Sequence, residues 1–317
     1  MRKVTLLLFV AIASMISTVG FAQQDWKFNQ YALNGMGFNP AYTGLGTNIS
    51  ATGLYRNQYM GLADFNPTSR NFNIHSKVNK VKGGLGLNIL DDEYGLEKFT
   101  GVYLSYAYHK DNVLPFEGTL SAGISVGMLQ ISSQLSKLNP RTNPDPILVT
   151  SDISGFGLDV NAGLLFTAPN YYVGISATHL TNPNVELQNN ASVNMQPHLF
   201  ITGGYTYKLN EKINLMPSVL IKSIVKKSQF DFSTIGMYSN KYWGGLGYST
   251  SDAIYLLAGG YLKGNQSDGG LKLGVSYGAT MNKLGSIGGR NSVEAMLGYN
   301  FKIQIPVKIP PTDPIFH

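Results

Sequence analysis

Phe156-Gly157-Leu158-Asp159-Val160-Asn161-Ala162-Gly163-Leu164-Leu165-Phe166-Thr167 decides the fold. Phe156, Leu158, Val160, Ala162, Leu164 and Phe166 alternate with Gly157, Asp159, Asn161, Gly163, Leu165 and Thr167. Successive side chains on a strand point to opposite faces, so this stretch has one apolar face and one mainly small or polar face. Leu120, Ala122, Ile124, Val126 and Met128 repeat the pattern against Ser121, Gly123, Ser125 and Gly127. Leu271, Leu273, Val275 and Tyr277 repeat it against Lys272, Gly274, Ser276 and Gly278.

A soluble sandwich alternates too, but its second face is charged. Here that face is Gly, Ser, Thr and Asn, which suits a crowded lumen. The segments run about 10–12 residues, the length a tilted membrane strand needs rather than the ~5–6 of a globular strand. Aromatic residues stand near strand ends, at Tyr106 and Tyr108, Tyr171 and Tyr172, Tyr205 and Tyr207, and Tyr299 and Phe301, as in interfacial girdles. Charged residues make up only 13% of the chain, against about 25% in soluble domains. The 36 glycines and 19 tyrosines fit turns, crowded inner sites and interfaces.

The expected fold is all-β, a transmembrane antiparallel barrel of fourteen strands with both termini in the periplasm. The strands read as 47–56, 69–78, 83–91, 99–109, 118–132, 154–168, 171–181, 197–209, 213–225, 228–238, 241–250, 252–263, 270–280 and 290–302. The first, third, fifth and seventh connections, Tyr59 to Thr68, Asp92 to Lys98, Ser133 to Ile153 and Thr181 to Gln196, are expected to be long and outward-facing. Asn79 to Lys82, Pro169 to Asn170 and Asn210 to Lys212 read as tight periplasmic turns. Pro217 cannot donate to a ladder, so an irregularity is expected there.

Outside the barrel, 47–302, three pieces remain. Residues 1–22 read as a signal peptide: Arg2 and Lys3, then an apolar run from Val4 to Ile16, then Gly20-Phe21-Ala22 with cleavage after Ala22. Residues 23–46 form an N-terminal segment assigned to the periplasmic side. Residues 303–317 hold Pro306, Pro310, Pro311 and Pro314, which exclude a helix and a fifteenth strand. That tail is expected in the periplasm, either docking a partner, folding back on the barrel mouth or disordered.

No constellation points to chemistry. Without cysteine there is no disulfide, thiolate site or lipid anchor. His75, His109, His179, His198 and His317 lie at no metal-ligand spacing and read as structural or solvated. Asp91, Asp92 and Glu93 read as a solvated loop cluster, with calcium a weaker alternative. Gly84-Leu85-Gly86 has no helix after it, and no nucleophile–base set is evident. Asp159 and Glu294 are expected to face the lumen and pair with Lys272 or Arg290. The net charge of +6 is scattered, so nucleic acid is not an expected partner. No catalytic residue, metal or cofactor is assigned.

Gln30-Tyr31, Asn39-Pro40-Ala41-Tyr42-Thr43-Gly44 and Tyr55-Arg56-Asn57-Gln58-Tyr59 together resemble the PorP/SprF family of the Bacteroidetes type IX secretion system. The motif residues are Asn39, Pro40, Ala41, Tyr42, Gly44, Tyr55, Arg56 and Gln58; Tyr59 stands where the family more often has Trp. The resemblance implies a non-catalytic outer-membrane barrel serving secretion, surface anchoring or gliding. Its implied partners are outer-membrane lipid, a secreted adhesin-like protein with a type B C-terminal signal domain, and periplasmic components of the machine. A diffusion channel is the alternative reading, and an outer-membrane enzyme a weaker one. Partner contacts are expected on the long outer loops, at Asn139, Pro140, Arg141, Asp145 and Pro146 and across Thr181 to Gln196. Two readings of the N-terminal motif stay open. Asn39, Pro40 and Gly44 make a turn into the first strand with Tyr42 at the interface, or Gln30 to Tyr42 plugs the lumen or docks a periplasmic component.

Overall fold

Period-two segments this long in a membrane must pair along both edges, because an open edge in lipid leaves each backbone group unsatisfied at a cost of several kcal/mol. The computed structural model resolves how. It describes residues 26–46, 49–61, 66–113, 115, 117–138, 151–188, 191–224, 227–251, 253–265, 269–281 and 288–301. Residues 1–22, read from the sequence as a signal peptide, the proline-rich tail and Asn139 to Pro146 lie outside the described residues.

The first seven strands are β1 (Ile49–Met60), β2 (Thr68–Val78), β3 (Gly83–Tyr94), β4 (Glu97–Val113), β5 (Gly118–Ser133), β6 (Ile153–Thr167) and β7 (Tyr171–Thr178). A small hairpin follows, β8 (Asn184–Glu186) with β9 (Ser192–Asn194). The wall continues with β10 (His198–Tyr205), β11 (Tyr207–Lys208), β12 (Ile213–Ile224), β13 (Lys227–Tyr238), β14 (Tyr242–Ser249), β15 (Ala253–Asn265), β16 (Gly269–Thr280) and β17 (Asn291–Phe301). Each wall strand pairs antiparallel with its sequence neighbours, β10 pairs with both β7 and β12, and β1 pairs with β17. Because β10 and β11 are one interrupted strand, the result is a closed barrel of fourteen strands.

Alternation sorts the two faces. Ile124, Val126 and Met128 of β5 point outward with about half their surface exposed, while Ser121, Ser125, Leu129 and Ile131 are buried inside. Tyr108, Tyr205, Tyr207 and Phe301 are exposed near one rim, as a girdle requires. Tyr172 departs from that expectation: it shares the inward face with Gly174 and Ser176 and packs edge-on against Tyr42, ring centroids 6.3 Å apart.

β1 begins and β17 ends at the same rim, here the near rim. There the connections are short: 79–82, 114–117, 168–170, 209–212, 239–241 and 266–268. The long connections 61–67, 134–152, 179–197 and 281–290 gather at the far rim. The third connection corrects the sequence reading. β3 runs to Tyr94 and β4 starts at Glu97, leaving a tight turn with Gly95 at φ 64°. Asp91, Asp92 and Glu93 therefore belong to a strand, not a loop. Their charges are tolerated in the ladder because Asp91 meets Arg70 at 2.5 Å and Lys98 at 3.0 Å, Glu93 meets Lys137 at 2.9 Å, and Ser69 donates to Asp92.

Pro217 produces the expected irregularity on one side only. Its pairing with Thr234 of β13 is continuous. On the other side the ladder stops at Gly204–Ser218 and resumes at Tyr207–Leu215, so the strand facing Pro217 is broken at Thr206. A residue in an antiparallel ladder directs both backbone groups to one neighbour, and proline has no N–H to direct.

The barrel assignment makes Val126 a lipid contact. Val126→Arg is expected to cost about 2–4 kcal/mol of folding stability. Denaturant titration of the barrel refolded into lipid vesicles measures this; an unchanged midpoint would remove Val126 from the lipid face.

Candidate functional site in the barrel lumen

Residues 26–46 run through the inside of the barrel. The segment is extended apart from three single turns of 3-10 helix at Tyr31–Leu33, Gly35–Gly37 and Pro40–Tyr42. The last turn is written in the sequence: Pro40 is pre-set for a first helical position, and the Asn39 side chain accepts from the Ala41 N–H at 2.8 Å. Trp26, Phe28, Tyr31, Met36, Phe38 and Ala41 are all buried. The segment assigned from sequence to the periplasmic side thus lies in the lumen, and Tyr42 packs on Tyr172 and over Gly35 rather than at a lipid interface.

At the far rim the Trp26 ring stands edge-on to His179, centroids 6.2 Å apart. Lys27 donates to Ser249 at 2.5 Å and Ser251 at 3.1 Å and lies 3.7 Å from Asp231. Next comes the tightest polar cluster. Glu294 accepts from the Asn29 N–H at 2.7 Å, from the Gln30 N–H at 3.0 Å and from Gln30 Nε2 at 3.1 Å. Arg56 Nη1 lies 3.6 Å from Glu294 and donates to Asn29 Oδ1 at 2.5 Å, and both ionic side chains are buried.

Midway, Tyr31 donates to the Ser218 carbonyl at 3.0 Å. Asn34 exchanges amide hydrogen bonds with Asn71 and Asn73 at 2.8 and 2.6 Å. Phe38 packs on Phe200, and its carbonyl accepts from Ser176 at 2.8 Å. Asn39 Nδ2 donates to the carbonyls of Leu164 and Ile175 at 3.0 and 3.4 Å. Near the near rim, the Gly44 N–H donates to His75 Nδ1 at 3.1 Å, and His109 Nε2 lies 2.9 Å from the Thr43 carbonyl. Beside Trp26, Phe38, Pro40 and Tyr103 a cavity of about 20 Å³ remains, room for a single water.

Glycine makes the fit possible at several places along the segment. A Cβ on Gly123 would fall on the backbone of Pro40 and Ala41. Gly44 combines a φ of 78° with contact against Gly84, so any side chain there is both strained and obstructed.

The family motifs divide by face. Arg56 and Gln58 of β1 point inward and are buried, while Tyr55 is exposed outside with the Arg70 guanidinium 5.8 Å from its ring centroid. A register shift between Asn57 and Met60 turns Tyr59, at φ 57°, into the interior, where its N–H donates to Ser292 at 3.3 Å.

Asp159 and Glu294 face the lumen, but their partners differ from those expected. Glu294 meets Arg56 because the two are register partners across β1 and β17. Asp159 meets His179 Nδ1 at 2.7 Å and the Tyr103 hydroxyl at 2.9 Å, because His179 sits where the chain leaves β7. Sequence reasoning missed this buried trio. Its one legible signal was an Asp on the inward, otherwise uncharged face of its strand. Among the described residues no group of three or more His, Cys, Asp or Glu is arranged to hold a metal ion.

The far mouth carries a second inward element. In the stretch Thr181 to Gln196, Val185, Leu187 and Met195 are buried against Leu129, Ile131 and Ile153 on the inner wall. Gly155 and Gly157 make room for that hairpin. Its other face shows Asn184, Glu186, Gln188, Ser192, Asn194 and Gln196 to solvent.

A closed, lipid-faced antiparallel barrel with a lumen filled by its own chain is the architecture of outer-membrane proteins. The model of the family described as type IX secretion system membrane protein PorP/SprF matches residues 20–299, and the chain belongs to that family. Among curated proteins no sequence matches. Comparison with solved structures finds similar chains at low identity, of which the first shares the fold. The CymD monoaromatic hydrocarbon channel matches with TM-score 0.51 and 10% identity over 90% of this chain and 96% of that one. The Pseudomonas putida toluene transporter TodX matches with TM-score 0.49 and 9% identity over 90% and 96%. The translocator domain of NalP from Neisseria meningitidis matches with TM-score 0.45 and 11% identity over 86% and 94%. The protein is therefore an outer-membrane barrel of the type IX secretion system.

Glu294→Gln leaves Arg56 buried without its counter-charge, a loss of about 3–5 kcal/mol. Because the same carboxylate holds Asn29 and Gln30, the segment should also become accessible to protease in the assembled barrel while Val126→Arg leaves it protected. Equal protease resistance in Glu294→Gln and the unaltered protein would show that this cluster does not hold the segment.

Proposed function

We propose that the protein is a non-catalytic accessory barrel of the type IX machinery that recognises, helps secrete or anchors a specific surface protein. The far rim with its long connections faces the cell exterior, and the near rim, with the chain termini of the barrel, faces the periplasm. Short turns on the periplasmic side and long outer loops are the usual asymmetry of such barrels. The observation that carries the proposal is the occupied lumen. A diffusion channel needs a continuous aqueous path, and here the path is taken by residues 26–46, hydrogen-bonded to both the β1–β17 seam and the opposite wall. What remains for a partner is the outer surface: the amide-rich face of the β8–β9 hairpin and the connection 134–152, including Asn139, Pro140, Arg141, Asp145 and Pro146. The partner is a secreted adhesin-like protein with a type B C-terminal signal domain, and the tail 303–317 is available on the periplasmic side to components of the machine.

Two measurements test this. In planar bilayers the intact protein should give no steady ohmic conductance, whereas deletion of residues 26–43 should open one; steady conductance of the intact protein would favour the channel. In cells, deletion of Asn139 to Pro146 should reduce surface display of the secreted partner several-fold at unchanged barrel levels, and unchanged display would remove that connection from the account.

A further inference from the structure

Lys272 of β16 is on the inward face near the near mouth, in register with Gly298 of β17, Thr52 of β1 and Asn73 of β2. It does not neutralise Glu294, which Arg56 meets deeper along the seam. A Cβ on Gly298 would fall on Cγ, Cδ and Cε of Lys272, so the glycine lets the lysine stem lie flat across β17. Neighbouring strands are about 4.8 Å apart, and a stem laid this way carries its ammonium over the seam towards β1. There Lys272 acts electrostatically on His75 of β2. One step nearer the rim, Asn300, Ser50 and His75 are register partners on the same inward face. Ser50 donates to Asn300 Oδ1 at 2.8 Å, which leaves Asn300 Nδ2 as a donor. The Gly44 N–H donates to His75 Nδ1 at 3.1 Å, so the neutral ring carries its proton on Nε2. Lys77, exposed near the end of β2, adds a second cation on that face.

Among the described residues, no hydrogen bond or ion pair is made by Lys272 Nζ, Lys77 Nζ, Asn300 Nδ2 or His75 Nε2. The described carboxylates of the near rim are elsewhere. Asp111, beyond His109 on β4, accepts from Thr119 at 2.7 Å. Glu117 and Glu211 stand in the turns before β5 and β12. Hydrogen-bond donors and positive charge therefore meet at one place without an acceptor, and a cation away from bulk water favours a counter-ion. We propose that this quarter of the near mouth, across β16, β17, β1 and β2, is an anion-binding site. Lys272 and Lys77 supply charge, and Asn300 Nδ2 and His75 Nε2 supply directed N–H groups to the oxygens of a carboxylate or phosphate. The lumen segment closes the site from within at Thr43 and Gly44, so the anion enters from the near mouth. The orientation given under the proposed function makes that mouth periplasmic, but the site itself does not depend on it.

The full-length protein in nanodiscs of zwitterionic phosphatidylcholine, with its five histidine rings labelled with carbon-13, provides the test. His75→Gln identifies the His75 resonance. The protein is titrated separately with a tri-glutamate peptide, with inorganic phosphate and with a tri-glutamine peptide. A saturable shift of the His75 ring is expected with the glutamate peptide or with phosphate, and none with glutamine. The tighter of the two anions distinguishes an acidic polypeptide from free phosphate as the source. Lys272→Met keeps the aliphatic stem over Gly298 and should weaken binding about tenfold or more. Lys272→Arg should retain binding. Lys212→Met, which removes an exposed charge from the same rim, should change it by less than about twofold. If the full-length protein shows no shift, the titrations are repeated on protein truncated after Lys302. A saturable shift in that form alone supports the site and makes the chain's own tail its occupant. The proposal is overturned by the absence of a saturable shift in both forms, by an equal response to glutamine, or by equal binding in Lys272→Met and the unaltered protein.

Discussion

The seam between β1 and β17 is where the barrel closes, and at that seam Arg56 stands opposite Glu294. Closure is obligatory in lipid, since backbone groups without partners cost several kcal/mol each. The seam also places two opposite charges inside, where each would be expensive alone. Asn29 hydrogen-bonds both charges and Gln30 adds two more bonds to Glu294. One cluster therefore joins first strand, last strand and lumen segment, so wall closure and lumen filling are linked events rather than separate ones.

The same economy of space runs along the lumen. A barrel of fourteen strands is wide enough to leave a void, and the inner face here is lined largely by Ser, Asn and Gly, which neither fill it nor seal it alone. The segment supplies the missing volume with Phe28, Tyr31 and Phe38 and uses the wall's hydroxyls and amides as its partners. At the far mouth Val185, Leu187 and Met195 extend the filling upward.

The wall was legible because lipid enforces a strict alternation: every strand expected from the sequence is present, and Pro217 marks its own defect. The turn after β3 was misread because Asp91, Asp92 and Glu93 look like loop residues, and only cross-strand neighbours such as Arg70 and Lys98 explain their place in a ladder. Asn39, Pro40 and Gly44 announced a turn, yet turn chemistry says nothing about where a turn sits, so the lumen position stayed one of two readings. The partner of Glu294 became readable only once the closing register was known. The partner of Asp159 was not readable, since His179 is positioned by the chain leaving β7 and not by a strand pattern. The inward glycines at Gly123 and Gly163 were a signal in retrospect: each marks contact with Asn39 to Ala41.

The central claim is that residues 26–46 are an integral part of the folded barrel. Hydrogen–deuterium exchange of the intact protein in lipid nanodiscs tests it most directly. The amides of Asn29 and Gln30, held by Glu294, and of Ala41, Tyr42 and Gly44, held by Asn39 and His75, should exchange as slowly as those of the flanking strands. Exchange of these amides within seconds, while the strands stay protected, would show a loose tail and contradict the account.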